Sequence, residues 1–232
     1  MTRETTLTVS ELFGPTLQGE GPSSGRLASF IRLSGCTLSC QWCDTPWTWD
    51  WTRFDRRAEQ HRMTTASVLA WALCQPAQLI VITGGEPLLQ ARQLAGLVTA
   101  LTGAGREVEI ETSGTIAPPP DLAAEGVTFN VSPKLANSGM PAARRIREGA
   151  LRALTGPGNA RFKFVAASPA DLDEIASLQE AYGLDPVWVM PEGTSSAAVL
   201  GGMRALAEEV IARGWNLSSR LHVLLWEDTR GR

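Results

Sequence analysis

The 232-residue chain contains no long apolar run, no dense block of lysine or arginine, and no repeated or low-complexity segment. A bilayer-spanning helix needs about 20 consecutive apolar residues, and no stretch supplies them. The opening "MTRETTLTVS" lacks the apolar centre of a secretion signal, so the expected location is the cytoplasm. A formal net charge of −3 gives no broad basic surface for a nucleic-acid backbone, although a local pocket for an anionic ligand stays open. Only four cysteines occur. In a reducing compartment, closely spaced cysteines point to metal or redox chemistry more than to structural bridges. What is present is a chain that is 44% hydrophobic, enough for one sizeable core, and residues 1–232 read as one domain.

Short aliphatic or β-branched runs alternate with longer helix-like stretches. The strand-like runs are "ASFIRL" (from Ala28), "QLIVIT" (Gln78), "EVEIET" (Glu107), "VTFNVS" (Val127), "RFKFVA" (Arg161), "VWVM" (Val187) and "LHVLLW" (Leu221). Between them, segments such as "LLQARQLAGLVTALTGAG", "PAARRIREGALRAL" and "TSSAAVLGGMRALAEEVIARGW" space their apolar residues near the helical period. "IAPPPD" reads as a rigid turn within this alternation. Strand–helix alternation implies right-handed crossovers and a parallel sheet. The chain is too short for eight such units, so the predicted fold is α/β, a partial, open barrel of about six. Five of the strand-like runs end in unusual polar or Gly-rich peptides: "SGCTLSCQWCD", "TGGEP", "ETSGT", "SPK" and "MPEG". Loops at the carboxyl ends of parallel strands converge on one face, so these five predict one composite site.

Cys36, Cys40 and Cys43 follow a C-x3-C-x2-C spacing in the loop 34–46. Three thiolates can hold three irons of a [4Fe–4S] cube, whereas electron-transfer clusters mostly use four. The iron left over is suited to a small-molecule ligand. The rival is zinc, with His61 or Cys74 as fourth ligand, but structural zinc sites normally bring two paired ligand sets. No second pair exists here. Cys74 lies in the helix-like "ASVLAWALCQ" and reads as a small buried hydrophobe. In "TGGEP", Thr83–Pro87, two glycines let backbone approach a ligand, and Glu86 sets a carboxylate beside it. The plain reading is a strand-to-helix turn with Pro87 at the first helical position and Glu86 near the helix N-terminus. "PWTWDW" alternates Trp47, Trp49 and Trp51, which reads as a strand-like edge packed on the core. The alternative is an aromatic wall shielding a cluster or docking an electron donor.

The cysteine spacing, with Trp42 just before the third cysteine and "GGEP" one strand later, resembles the radical S-adenosylmethionine superfamily. The stretch "ELFGPTLQGEGPSSGRLASFIRLSGCTLSCQWCDT" closely resembles the 7-carboxy-7-deazaguanine synthases within it. The likeness extends through "TGGEPLLQ", "ETSGT", "SPK" and "MPEG", nearly the whole chain. It implies a [4Fe–4S] cluster on Cys36, Cys40 and Cys43, with S-adenosylmethionine chelating the open iron and yielding a 5′-deoxyadenosyl radical. The implied reaction contracts 6-carboxytetrahydropterin to 7-carboxy-7-deazaguanine with loss of ammonia, for queuosine-type or other 7-deazapurine biosynthesis. The cofactor would be re-formed rather than consumed.

The same resemblance implies cofactor contacts from Trp42, Gly85, Glu86, Ser113, Ser132, Pro133 and Lys134. It implies substrate contacts from Leu17, Gln18, Gly19, Glu20, Arg32 and Thr83, with Met190, Pro191, Glu192 and Gly193 completing the pocket from the 185–232 elements. Arg32 offers a charge-assisted, bidentate partner for the pterin carboxylate. The Gln18 amide suits ring edges, and Glu20 suits the guanidine-like edge unless it is a capping or solvated glutamate. Lys134 reads equally as an ordinary ion-pair residue, and Lys163 alternates with Phe162 and Phe164 in a role left open. Thr45 would hold Mg²⁺ by its hydroxyl, tolerable for an ion that keeps several waters. The implied partners are the small-molecule pterin, a flavodoxin- or ferredoxin-like electron donor and a second copy in a homodimer, with no nucleic acid and no membrane. A radical activase of a partner protein's glycine is the rival enzyme, and it leaves "LQGEG" and Thr45 without a purpose. A non-catalytic iron–sulfur or zinc module leaves the five ordered loops unexplained.

Overall fold

The computed structural model describes residues 5–123 and 125–232, so the first four residues of the opening stretch lie outside it. One nine-stranded sheet runs through the molecule in the order β3-β1-β2-β4-β5-β6-β7-β8-β9. The strands are β1 (Thr6–Leu17), β2 (Leu27–Leu33), β3 (His61–Thr64), β4 (Leu79–Gly84), β5 (Glu107–Thr112), β6 (Val127–Val131), β7 (Ala160–Ala166), β8 (Val187–Pro191) and β9 (Asn216–Leu217). From β2 through β9 neighbouring strands pair in parallel, while β1 lies antiparallel to both β2 and β3. The helices are α1 (Arg56–Glu59), α2 (Thr65–Leu73), α3 (Ala91–Gly103), α4 (Ala142–Arg145), α5 (Glu148–Thr155), α6 (Asp171–Tyr182), α7 (Ser196–Ala212) and α8 (Leu221–Trp226). Six main parallel strands in sequential order form the expected partial barrel. Among the described residues, no helix is long and apolar enough to cross a membrane.

Period-two alternation divides the sheet's side chains between two faces. Phe129, Phe162 and Phe164 are wholly buried in the large apolar core with Leu94, Leu97 and Leu101 of α3. Burying each such ring contributes roughly 1.5–3 kcal/mol. The intervening residues, among them Glu109, Glu111, Asn130 and Lys163, take the opposite, concave face. Lys163 thus points inward because Phe162 and Phe164 point outward. α3 spaces Leu94, Leu97, Val98 and Leu101 along one buried face, and its chain turns back at Gly105, where φ is +80°.

Four expectations need correction. "LHVLLW" is helix α8, not a strand. A six-residue apolar run fits either state, and the parallel edge is already taken by the two-residue β9. "PWTWDW" forms a 3₁₀ turn at Pro46–Thr48 rather than a strand-like edge. Cys74 is exposed, because it follows buried Ala72 by two positions, about 200° round the helix. "PAARRIREGALRAL" breaks into α4 and α5 at Ile146–Arg147. β1 and β3 are additions. Pro15 and a polar-rich pattern disguise β1, whose register shifts between Phe13 and Thr16.

Candidate active site

The peptides that follow β2, β4, β5, β6 and β8 meet at one cleft, which also receives the end of β1. Leu17, Gln18, Gly19 and Glu20 line it from one side, and Arg32 from the end of β2. The cysteine loop contributes Cys36, Cys40, Trp42, Cys43 and Thr45. Thr83, Gly85, Ser113, Ser132 and Lys134 form the middle, with Met190 and Glu192 across from them. Glu86, Pro133, Pro191 and Gly193 do not line the cleft and lie behind its wall.

The two "TGGEP" glycines serve a close approach to protein backbone. A Cβ on Gly84 would stand 2.1 Å from the Leu33 carbonyl oxygen, and one on Gly85 2.2 Å from that of Gly35. The Glu86 backbone N–H donates to the Gly35 carbonyl at 2.8 Å, so β4 grips the start of the cysteine loop. The Glu86 side chain is wholly buried. It accepts from the Leu88 N–H (3.1 Å), the Thr112 hydroxyl (2.8 Å), and both the N–H and hydroxyl of Ser113. Glu86 therefore caps the turn at Pro87–Gln90, as its plain reading holds, and locks "ETSGT" against "TGGEP".

In the cysteine loop, Cys36 Sγ accepts the Leu38 N–H at 3.5 Å, and Cys43 Sγ accepts the Trp49 indole N–H at 3.3 Å. Burial pushes the Cys36 thiol up to about 12, and also raises Cys40, against which the Lys134 cation pulls. Trp42 donates to Asn137, and its ring faces the Lys134 ammonium at 5.6 Å, while Lys134 Nζ donates to the Ser132 hydroxyl at 2.8 Å. Thr45 Oγ1 stands 3.8 Å from Cys43 Sγ.

Opposite the sulfurs, a buried charge network fills the concave face. Glu20 is paired with Lys163 through one oxygen and with Arg220 Nε at 3.1 Å through the other. Burial works to raise the Glu20 carboxyl, but these two cations outweigh it and hold the group well below its ordinary 4.5. Burial likewise opposes the Lys163 charge, and Glu20 and Glu111 reverse that effect, raising its pKa. Arg220 also pairs with Asp44 and donates to the Gly193 carbonyl at 2.6 Å, so it ties three loops together. Gln18 spends its amide N–H groups on Glu109 (2.7 Å) and Glu111 (3.2 Å), which removes its donors from ring recognition. Burial, then Glu111, raises the Glu109 carboxyl. Thr83 donates to Glu111 at 2.7 Å. Arg32 gives its Nε to Glu11 at 2.9 Å, so the cation is partly committed, although its two terminal nitrogens bond to none of the described residues.

Sequence reasoning did not find Asp44, Glu111, Asn130, Arg220, His222 or Arg232, all on the cleft wall. Gly19 exists for one of them: a Cβ there would stand 2.0 Å from His222 Nδ1. The misreading of α8 hid both Arg220 and His222. Arg232 shows that the C-terminal tail reaches the cleft.

Residues 30–149 match the Radical SAM superfamily. The 7-carboxy-7-deazaguanine synthase of Pyrobaculum aerophilum is 36% identical, over 97% of this chain and 96% of the relative. That of Halobacterium salinarum is 35% identical, over 96% and 91%. The crystal structure of QueE from Escherichia coli superposes with a TM-score of 0.71 at 28% identity, covering 92% of this chain and 93% of that one. The chain belongs to the 7-carboxy-7-deazaguanine synthase family. As a radical enzyme of that family, it uses a [4Fe–4S] cluster and S-adenosylmethionine.

The residues present fit those groups. Among the described residues no three His, Cys, Asp or Glu side chains converge on a single ion. A cube asks for something else, since each thiolate ligates a different iron. The Cys36 and Cys40 thiols resist ionisation on their own, and a bound cation is what would stabilise them as thiolates.

Proposed function

We propose that the cleft binds 6-carboxytetrahydropterin between the buried charge network and the cysteine loop. The chain is a carbon–nitrogen lyase that contracts this pterin to 7-carboxy-7-deazaguanine with loss of ammonia, a step of queuosine-type 7-deazapurine biosynthesis. The observation that carries the assignment of roles is the convergence of Cys36, Cys40 and Cys43 with Arg32, Thr83 and Glu20 on one cleft. When bound, the cluster and S-adenosylmethionine would supply radical chemistry, the abstraction of one hydrogen atom.

The chain's own part is to bind, orient and exclude water. The free terminal nitrogens of Arg32 pair with the pterin carboxylate, while its Nε stays fixed on Glu11. Glu111, held by Thr83 and Gln18, faces the donor-rich ring, and Glu20 shares that wall. Phe13 and Phe30 stack at 4.7 Å and close the cleft with an apolar side. Burial keeps the reactive species away from water and side reactions. Gly85, Ser113, Ser132 and Lys134 form the cofactor's side of the cleft, with Glu86 acting from behind through Ser113. Thr45 would hold Mg²⁺ through its hydroxyl, and the ion would supply positive charge for the substrate's oxygens. The electron comes from an external flavodoxin- or ferredoxin-like protein, the enzyme works as a homodimer, and its place is the cytoplasm.

The test is anaerobic. The protein is reconstituted with iron and sulfide, then given S-adenosylmethionine, dithionite, Mg²⁺ and 6-carboxytetrahydropterin, and the product is followed by its ultraviolet spectrum. Product that disappears when any of the three cysteines is replaced supports the reading. A zinc-replete, iron-free protein overturns it.

A further inference from the structure

The three cysteines are not equivalent. Cys36 Sγ accepts a backbone N–H from Leu38, Cys40 feels the Lys134 cation, and Cys43 Sγ accepts the indole N–H of Trp49 at 3.3 Å. A side-chain donor to a ligand sulfur is a choice of residue, whereas a backbone donor comes with any loop. The donor is also held in place. The Thr48 carbonyl accepts from the Gly35 N–H (2.7 Å) and the Ser34 hydroxyl (3.1 Å), and the Thr48 hydroxyl donates to the Thr45 carbonyl at 2.8 Å. The Trp49 backbone N–H closes the same turn on the Pro46 carbonyl at 3.1 Å. Trp49 is therefore fastened to both ends of the cysteine loop. Trp42, the tryptophan inside the loop, gives its N–H to Asn137 and leaves the sulfurs alone.

We propose that Trp49 is a positioning residue for the iron–sulfur centre, whose hydrogen bond to the Cys43 sulfur raises the cluster's reduction potential. The inference rests on the cluster reading given above. Reduction adds one electron and spreads negative charge over the thiolate sulfurs. A donor aimed at one of those sulfurs stabilises the reduced state more than the oxidised one, and hydrogen bonds to sulfur are among the factors that set cluster potentials. The physical consequence is that a weaker external reductant suffices to load the electron.

The experiment compares reconstituted wild type with Trp49→Phe and with a protein whose Trp49 indole is replaced by benzothiophene, which keeps the bicyclic shape and lacks the N–H. Iron and sulfide content are measured first. Each protein is then poised at a series of potentials, and the reduced cluster is counted by electron paramagnetic resonance. The expected result is a full cluster in all three proteins and a midpoint displaced to more negative potential in both replacements. At a fixed poise that means about tenfold fewer reduced clusters, roughly 59 mV for a one-electron couple. A full cluster with an unchanged midpoint in the benzothiophene protein overturns the assignment. A wild-type protein that takes up no cluster overturns the functional reading, and this inference with it.

Discussion

On one side of the cleft, Lys163 and Arg220 already neutralise Glu20, and Gln18, Thr83 and Ser23 already bond Glu109 and Glu111. On the other side, burial disfavours ionisation of the Cys36 and Cys40 thiols, only Lys134 pulls against it at Cys40, and the rest of the charge that would balance the thiolates comes from outside. The substrate wall is thus electrostatically complete within the chain, and the cysteine wall is completed by its metal. The difference follows from where each wall sits. The charged residues stand on strands β5 and β7 and on the peptides framing β1 and α8, fixed by the sheet. The thiols stand on a loop held at its ends by Gly84–Glu86 and by the Pro46–Thr48 turn.

Removing a thiol attacks the incomplete wall. Cys36→Ala, Cys40→Ala or Cys43→Ala should abolish the cluster and lower turnover by at least about three orders of magnitude, since the lost step has no substitute. Thermal unfolding of the cluster-free protein should shift little, because no folded contact of the charge network is lost. Removing a charge attacks the complete wall. Lys163→Met leaves Glu111 without an ion-pair partner and Glu20 with Arg220 alone in a buried setting, and should cost about 3–5 kcal/mol in urea unfolding. Arg220→Gln should free three loops at once. We expect KM for the pterin to rise about tenfold with iron content unchanged, a cost of roughly 1.4 kcal/mol.

Acid exposes the same contrast. Glu20's folded carboxyl lies well below its ordinary 4.5, so its stabilising share is present above that pH and is lost as pH falls further. Urea midpoints measured from pH 6 to pH 3 should therefore fall less steeply in Glu20→Gln than in wild type, from a lower starting stability. The smallest effect belongs to neither wall. Cys74→Ser, at an exposed position, should change stability by less than about 0.5 kcal/mol and leave activity intact.

The strands β2 and β4 through β8 were legible because buried parallel strands read as apolar runs bounded by polar loops. The loops themselves were legible through their motifs, and seventeen of the twenty-one residues expected at the site stand on the cleft wall. The rest depended on contacts that no local pattern encodes. Arg220 meets Glu20 and Asp44 across 200 and 176 positions of chain, and nothing around any of the three announces the pairing. Glu86 is buried, and its carboxylate accepts four hydrogen bonds from Leu88, Thr112 and Ser113, a lock between two loops that its own motif does not announce. "PWTWDW" alternates like a strand, yet Pro46 opens a tight turn and sends Trp49 to Cys43 and Trp47 to the Arg230 guanidinium, 4.5 Å from the ring centroid. Arg230 also reaches Glu59 and Glu11, which is how the C-terminal tail comes back to the site.

The contrast between the two walls is tested most directly by binding the stable, oxidised 6-carboxypterin to protein with and without its cluster, in the absence of S-adenosylmethionine. A substrate wall that is complete within the chain predicts dissociation constants that agree within about threefold, a difference of under 1 kcal/mol. Pterin binding that appears only after the cluster is loaded would contradict it.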